Sequence, residues 1–354
     1  MSSGEAREGG KRPVHRDTTA SLDGAKVELF ATAAARLGVA IARGEPLARH
    51  TTFRIGGPAD LWATVNDQDQ LRGLADLAAE SSIPTAIVGG GSNVLVSDAG
   101  VRGLLIANRT RDSDMQMGER GTAGRLVAES GVALAGLARW TIREGWAGLE
   151  WAVSVPGTVG GAVIGNAGAH GGCIADNLAW ASVAYPGHAP RRLARAELGF
   201  TYRSSVLKQQ PCAALASPDR LAGRITEAVS PGPVVLAAAF ELQPGESTEL
   251  AGRAERYLAR RRETQPTEPS AGSIFRNPAG DYAGRLIEAV GLKGHRCGGA
   301  QVSPRHANFI VNTGAASAAD VLALMTLIQR RVFEQSGITL TPEIVLLGDW
   351  SGQE

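Results

Sequence analysis

PGTVGGAVIGNAGAHGG, Pro156 to Gly172, carries seven glycines and one histidine in seventeen residues. Backbone so bare of side chains can approach a ligand closely and adopt positive φ, which suits its amides to the pyrophosphate of a nucleotide. A second stretch, VGGGSNV from Val88 to Val94, has the same character in the same half of the chain. Neither fits the common nucleotide loops. No GxxxxGK[ST] occurs, and after Gly89 and Gly91 the last glycine of GxGxxG is replaced by Val94. Tight turns without a ligand account for either loop alone; two long ones together point to a bound cofactor.

The rest of the composition narrows the class. A chain of 354 residues has room for two or three domains and a sizeable core. Its 36 basic and 35 acidic residues nearly cancel, so no broad basic field marks nucleic acid or an anionic membrane as partner. Cys173, Cys212 and Cys297 are far apart, odd in number and form no CxxC, so neither a disulfide framework nor a metal site is indicated, and a reducing cytoplasm fits. Residues 1–24 are polar and glycine-rich without an apolar h-region and read as a flexible tail rather than a secretory signal. No apolar run approaches the roughly 20 residues that span a bilayer.

Along the chain, Val27, Leu29, Phe30, Ala34 and Leu37 recur at helical spacing, and the pattern predicts one amphipathic helix from Ala25 to Arg43, with Gly38 and Gly44 as possible stops. HTTFRIGGPADLWATV predicts strand, turn, strand, then a helix around Asp67 to Ser81. IPTAIVGGGSNVLVSDAGVRGLLIA alternates short apolar runs with glycine turns, as closely spaced strands do. LAGLARWTIREG predicts a helix before the opening stretch, and LAWASVAYPG, RRLARAELGFTYRSS and VVLAAAFELQPG predict strands of an α+β sheet, with a loop-like insertion at Pro211–Pro233. At Pro244 the texture changes to a helix N-capped by Ser247, followed by the amphipathic helix SAADVLALMTLIQRRVFEQSG and a closing strand ITLTPEIVLLG. Three units result: the tail, residues 25–244 in two subdomains (25–107 and 108–244), and residues 245–354.

At this point a family resemblance appears. RIGGPAD (Arg54 to Asp60), VGGGSNVLV (Val88 to Val96), GLEWAVSVPGTVGGAVIGNAG (Gly148 to Gly168), YRSS (Tyr202 to Ser205), RRRETQPTEPSAGSIFRNP (Arg260 to Pro278) and TPE (Thr341 to Glu343) resemble, in order, the UDP-N-acetylenolpyruvoylglucosamine reductase (MurB) family. The resemblance runs from about Pro46 to Gly348 and implies an α+β fold. Its parts would be an FAD-binding domain of the vanillyl-alcohol oxidase/p-cresol methylhydroxylase type and a smaller C-terminal substrate domain. It implies that FAD lies along Val88, Gly89, Gly90, Gly91, Ser92, Asn93, Val94 and Leu95, and along Val155, Pro156, Gly157, Gly160, Gly161, Ile164, Asn166, Ala167 and Gly168, with Asn166 the side chain best placed to bond it. Members that attach flavin covalently often place a histidine in the first loop; Ser92 and Asn93 stand here, so noncovalent FAD is expected.

The implied reaction moves a hydride from NADPH through the flavin to C3 of the enolpyruvyl group on a UDP-sugar, giving the lactyl ether used in peptidoglycan synthesis. Negative charge then builds on the substrate carboxylate, and C2 needs a proton. By the resemblance Ser273 donates that proton, Arg203 offers a planar fork to the carboxylate, and Glu343 stabilises the intermediate. A carboxylate in that place must be protonated or organise a donor, so its pKa should be raised. By residue type alone Ser273 is a turn residue, Arg203 a surface ion pair, and Glu343 a strand-edge charge or a partner of Arg330 or Arg331. By the resemblance Arg276, Asn277, His306 and Asn308 lie in substrate-domain motifs and would hold the diphosphate or sugar, and Tyr202, in YRSS, is expected to bind substrate as well. The Arg260–Arg262 run reads as a solvated helix end.

Two departures stand out. Only twelve residues, Ala279 to Val290, separate Pro278 from Gly291, so the chain resembles the short class that lacks a tyrosine-bearing insertion. His170 stands where the family commonly has tyrosine; it keeps a ring and a donor, gains titration near pH 6.5, and is expected to help position substrate without moving a proton. The partner expected is a small nucleotide sugar, on a monomer or weak homo-oligomer. The alternative reading is another FAD-dependent oxidase or dehydrogenase acting on a small hydroxy acid or alcohol, which shares the glycine loops but does not need Ser273, Arg203 and Glu343 together. A nonenzymatic flavin or nucleotide-sugar sensor is a third.

Overall fold

The computed structural model describes residues 22–116, 123–209 and 232–350. Most of the expected tail and of the Pro211–Pro233 insertion, with Cys212, lies outside the described residues.

Asp23 starts the first helix by accepting from the Ala25 amide at 3.1 Å, and Gly24–Arg36 buries Val27, Phe30 and Ala34. The helix does not reach Arg43 as the apolar spacing predicts. Gly38 turns the chain at φ +72°, and Ile41–Pro46 runs as a strand antiparallel to Pro58–Val65. HTTF is not a strand either: Leu47–His50 is a short 3-10 turn, and Thr51 Oγ1 closes the loop behind it on the Ile55 carbonyl at 3.0 Å.

Pro58–Val65, Val101–Asn108 and Thr85–Val88 lie parallel in one sheet. Parallel neighbours need a crossover, supplied by helix Gln68–Glu80, which Asp67 caps through the Gln70 amide and which buries Leu71, Leu74, Ala75 and Ala78 at helical spacing. A second, antiparallel sheet orders Arg191–Ala194, Leu178–Ala184, Val234–Pro244, Gly124–Glu129 and Ser113–Gln116. Only the first four residues of RRLARAELGFTYRSS are strand; Arg195–Leu198 turns away as a 3-10 helix. Val234–Phe240 is buried throughout because it serves two cores, Leu236 facing the first sheet's helices and Ala238 and Phe240 the second core.

After helix Ser247–Thr264, whose cap position is Glu246 rather than Ser247, three short antiparallel strands (Arg296–Cys297, Ala300–Val302, Ile310–Asn312) pack under helix Ala318–Ser336. That helix has its start and stop written in the sequence: a Ser317–Asp320 capping box and Gly337 at φ +69°. Its core also takes in Phe53, Ile55 and Leu95, so the apolar packing crosses the expected boundary at Pro244. Val345–Leu347 then pairs in parallel with Val94–Val96, about 250 positions earlier.

Candidate active site

A cavity of about 1220 Å³ lies between the two glycine loops and the C-terminal strands. The first loop leaves the Thr85–Val88 strand, and Gly91 sits at φ +60° where a Cβ would stand 2.0 Å from the His50 carbonyl oxygen, so only glycine fits. The loops pack tightly, glycine backbone of each against a hydroxyl side chain of the other. A Cβ on Gly89 would come within 2.3 Å of Thr158 Oγ1, and one on Gly157, at φ +105°, within 2.8 Å of Ser92 Oγ. Arg109 Nη1 braces the first loop at the Gly89 carbonyl, 2.7 Å away. At Gly161, exposed on the cavity side, a Cβ would meet nothing nearer than Thr158 Oγ1 at 3.8 Å.

Ser273, Arg203 and Glu343 reach the same cavity from three distant parts of the chain. Glu343 donates its amide to the Ile274 carbonyl at 2.7 Å, beside Ser273, while Asn93 of the first glycine loop donates its side-chain amide to the Glu343 carbonyl at 3.3 Å. Arg203 Nε stands 3.0 Å from Glu343 Oε1. That N–H is buried and not aligned for a hydrogen bond, so the contact is Coulombic. Burial pushes the Glu343 carboxyl above its ordinary range, against the opposing pull of Arg203, Lys208 and Arg276. Arg330 and Arg331 are not its partners; they face Glu334.

His170 lines the cavity at φ +53°, stacked on Tyr257 with ring centres 4.3 Å apart and its Nε2 3.2 Å from Ser154 Oγ. Burial, then Arg260 and Arg261, lower its pKa from 6.5, which favours the neutral ring. His306, also on the cavity, accepts from the Asn308 amide at 3.2 Å, and burial lowers it likewise. The sign of the stability effect follows. As pH falls through 6.5 the unfolded chain takes up protons on these rings before the fold does, so stability falls and keeps falling until pH passes the two lowered values. Denaturant midpoints measured between pH 7.5 and pH 5 should therefore drop, and a His170→Phe/His306→Gln double variant should flatten the slope relative to the parent. An unchanged slope would assign it to other groups. The difference matters because Glu343, with its raised carboxyl, contributes in the opposite sense at lower pH.

Not every residue expected at the site reaches it. Leu95 faces away, fully buried in the C-terminal core. Asn166 has its amide committed, donating to the Thr201 carbonyl at 2.9 Å and accepting from the Ala175 amide at 3.1 Å, so it shapes the loop rather than facing the cavity. Asn277 accepts from the Ala283 amide at the start of helix Ala283–Ala289, Asn308 clasps the Phe275 backbone, and neither is among the cavity-lining residues. Tyr202 is 57% exposed and, with Arg276, stands outside the cavity lining. Conversely, the Arg260–Arg262 run is no plain solvated end: Arg260 and Arg261 line the cavity, and Arg261 Nη1 donates to the Ser154 carbonyl. Lys208, Tyr257 and Arg305 also line it and carry no motif that announces them.

Residues 265–347 match the family described as "UDP-N-acetylenolpyruvoylglucosamine reductase, C-terminal domain", and residues 59–187 match "FAD binding domain". A UDP-N-acetylenolpyruvoylglucosamine reductase of Heliobacterium modesticaldum is 44% identical over 87% of this chain and 91% of its own length. The chain belongs to the UDP-N-acetylenolpyruvoylglucosamine reductase family. A Chloroflexus aurantiacus relative of the same name is 41% identical and is covered over 99% of its length. The crystal structure of the Thermus caldophilus reductase superposes with a TM-score of 0.67 at 33% identity, covering 87% of this chain and 98% of that one. Membership of the reductase family confirms the expected pairing of an FAD-binding domain with the family's C-terminal domain. Among the described residues no helix is long and apolar enough to cross a membrane.

Proposed function

We propose that this chain reduces the enolpyruvyl group of UDP-N-acetylglucosamine enolpyruvate to the lactyl ether of UDP-N-acetylmuramate, with NADPH as reductant. The observation that carries the reading is the convergence of Ser273, Arg203 and Glu343 on the cavity floored by both glycine loops. FAD, when bound, supplies the two-electron chemistry that connects reductant and substrate. The residues present fit it: bare backbone of Gly89–Gly91, Gly157, Gly160 and Gly161 lines the cavity, with room left open at Gly161. At about 1220 Å³ the space exceeds that of a single drug-sized ligand, roughly 300 to 1,000 Å³. It suits a dinucleotide together with a second ligand.

The chain's own residues then divide the work. Arg203 meets the substrate carboxylate with a permanent charge. Glu343, held close to it and biased toward its neutral form by burial, can donate to a developing oxyanion instead of repelling it. Ser273 delivers the proton to C2. His170 and His306 are the substrate-facing candidates among the secondary contacts, while Tyr202, Arg276 and Asn277 would need a rearrangement to serve. Residues 25–244 would hold FAD and residues 245–354 the substrate, a division supported by the separate sheets and blurred by the shared core at Leu95. A cytoplasmic monomer or weak homo-oligomer, without nucleic acid or membrane, completes the proposal.

Adding the enolpyruvyl sugar to purified yellow protein with NADPH should start rapid NADPH oxidation. Rapid oxygen consumption with a small alcohol, and none with the sugar, would favour the oxidase alternative. Gly161→Val should keep the fold yet weaken FAD retention by about 10 to 10²-fold, since filling packed space costs about 1 to 3 kcal/mol. An equally yellow variant would move the cofactor off the second loop.

A further inference from the structure

The turn that presents Arg203 is tied down by three side chains. Asn166 Nδ2 donates to the Thr201 carbonyl at 2.9 Å, Ser205 Oγ to the Ile164 carbonyl at 2.7 Å, and Lys208 Nζ to the Arg203 carbonyl at 3.1 Å. Of these three, Lys208 alone also lines the cavity. Arg203 itself sits at φ +56°, a conformation that a residue with a Cβ keeps only when its surroundings fix it. The last anchor is an expensive choice. The Lys208 ammonium is largely buried and has Arg276 and Arg203 as neighbours, with Glu343 the one opposing charge. Burial and the two guanidiniums all disfavour its charged form. A glutamine or a serine could hold a carbonyl without that penalty, so the charge has a use beyond the turn.

We propose that Lys208 is a positioning residue: it fixes the left-handed turn that sets Arg203 beside Glu343, and its charge completes the field that a substrate carboxylate meets there. The inference rests on the reductase reading given above. Lys208 adds its charge to those of Arg203 and Arg276 around Glu343, and an incoming substrate carboxylate meets and offsets part of that positive field. Lys208 has two further N–H donors, but its task needs no direct contact with substrate.

The test uses full-length, FAD-bound protein and its Lys208→Met and Lys208→Arg variants. Each is reduced anaerobically with NADPH and mixed with UDP-N-acetylglucosamine enolpyruvate while flavin absorbance is followed over a range of pH. Lys208→Met should keep the parent flavin spectrum and thermal midpoint and lose about tenfold to 10²-fold in the limiting reoxidation rate, as misplaced reacting groups do. The limb on which its rate falls as pH rises, set by proton loss from Glu343, should move upward, because one of the three cations that restrain that carboxyl is gone. Lys208→Arg should recover most of the rate and return the limb. Wild-type reoxidation by Lys208→Met, a rate loss with an unmoved limb, or loss of flavin in both variants would overturn the inference. A parent protein that the sugar fails to reoxidise would sink the function itself; a competent parent with an indifferent Lys208→Met would sink only the role of Lys208.

Discussion

Ser273→Ala is expected to leave NADPH-driven bleaching of the flavin within a factor of a few of the parent and to slow its recovery with the enolpyruvyl sugar by about 10² to 10⁴-fold, the range of a lost general acid. The surroundings favour a clean experiment. Ser273 lies between Gly272, at φ +80° with open space around it, and the fully buried Ile274, and its backbone bridges to Phe309. Among the described residues no protein group bonds its hydroxyl, so removing one oxygen breaks nothing that holds the fold. A hydroxyl is a poor acid in water, and its use here depends on placement beside a strongly basic carbon. If Ser273→Ala recovers at the parent rate, the proton comes from another group on the cavity wall.

Arg203→Met should cost about 10² to 10³-fold in the same half-reaction, the magnitude of one removed electrostatic contact at developing charge. Arg203→Lys should restore part of it, since an ammonium keeps the charge and loses the planar fork. A second signature separates this from a general defect. Arg203 is the strongest of the cations holding the Glu343 carboxyl down against burial, so Arg203→Met should raise that carboxyl further and shift to higher pH the limb on which reoxidation slows as Glu343 loses its proton. A limb that stays in place would mean that Glu343 does not report on the reacting centre.

The sequence makes the glycine loops visible because their local geometry is nearly self-determined, whereas the three proposed catalytic residues are legible only through the family resemblance of the motifs that hold them. Gly91 and Gly157 need positive φ whatever else the chain does. What stays hidden depends on distant partners. Leu95 continues the apolar rhythm of the first loop, and nothing local says that its face meets a core made largely of residues beyond 270. Asn166 looks like a ligand-binding amide until the Thr201 carbonyl takes it, 35 positions on. Arg260 and Arg261 end a helix with the charges that suit a helix C-terminus, and only docking against the Ser154 loop turns them to the cavity. Lys208 is similar: one lysine after an apolar pair reads as solvated. The first helix has the opposite cause: its end is local, with apolar spacing that stops at Leu37 and a left-handed Gly38 that turns the chain into the Ile41–Pro46 strand.

The parallel zipper between Val94–Val96 and Val345–Leu347 has a consequence for how the protein is made. Its second strand is synthesised about 250 residues after its first, so on the ribosome the Val94–Val96 edge stays unsatisfied while those residues are made. Contacts of such long sequence separation close late in folding. Flavin capture should therefore wait for Val345–Leu347: nascent protein arrested before Ile344 should stay colourless in the presence of FAD, and a released chain that includes the strand should show the yellow spectrum. A yellow arrested chain would show that the first loop assembles without its C-terminal partner.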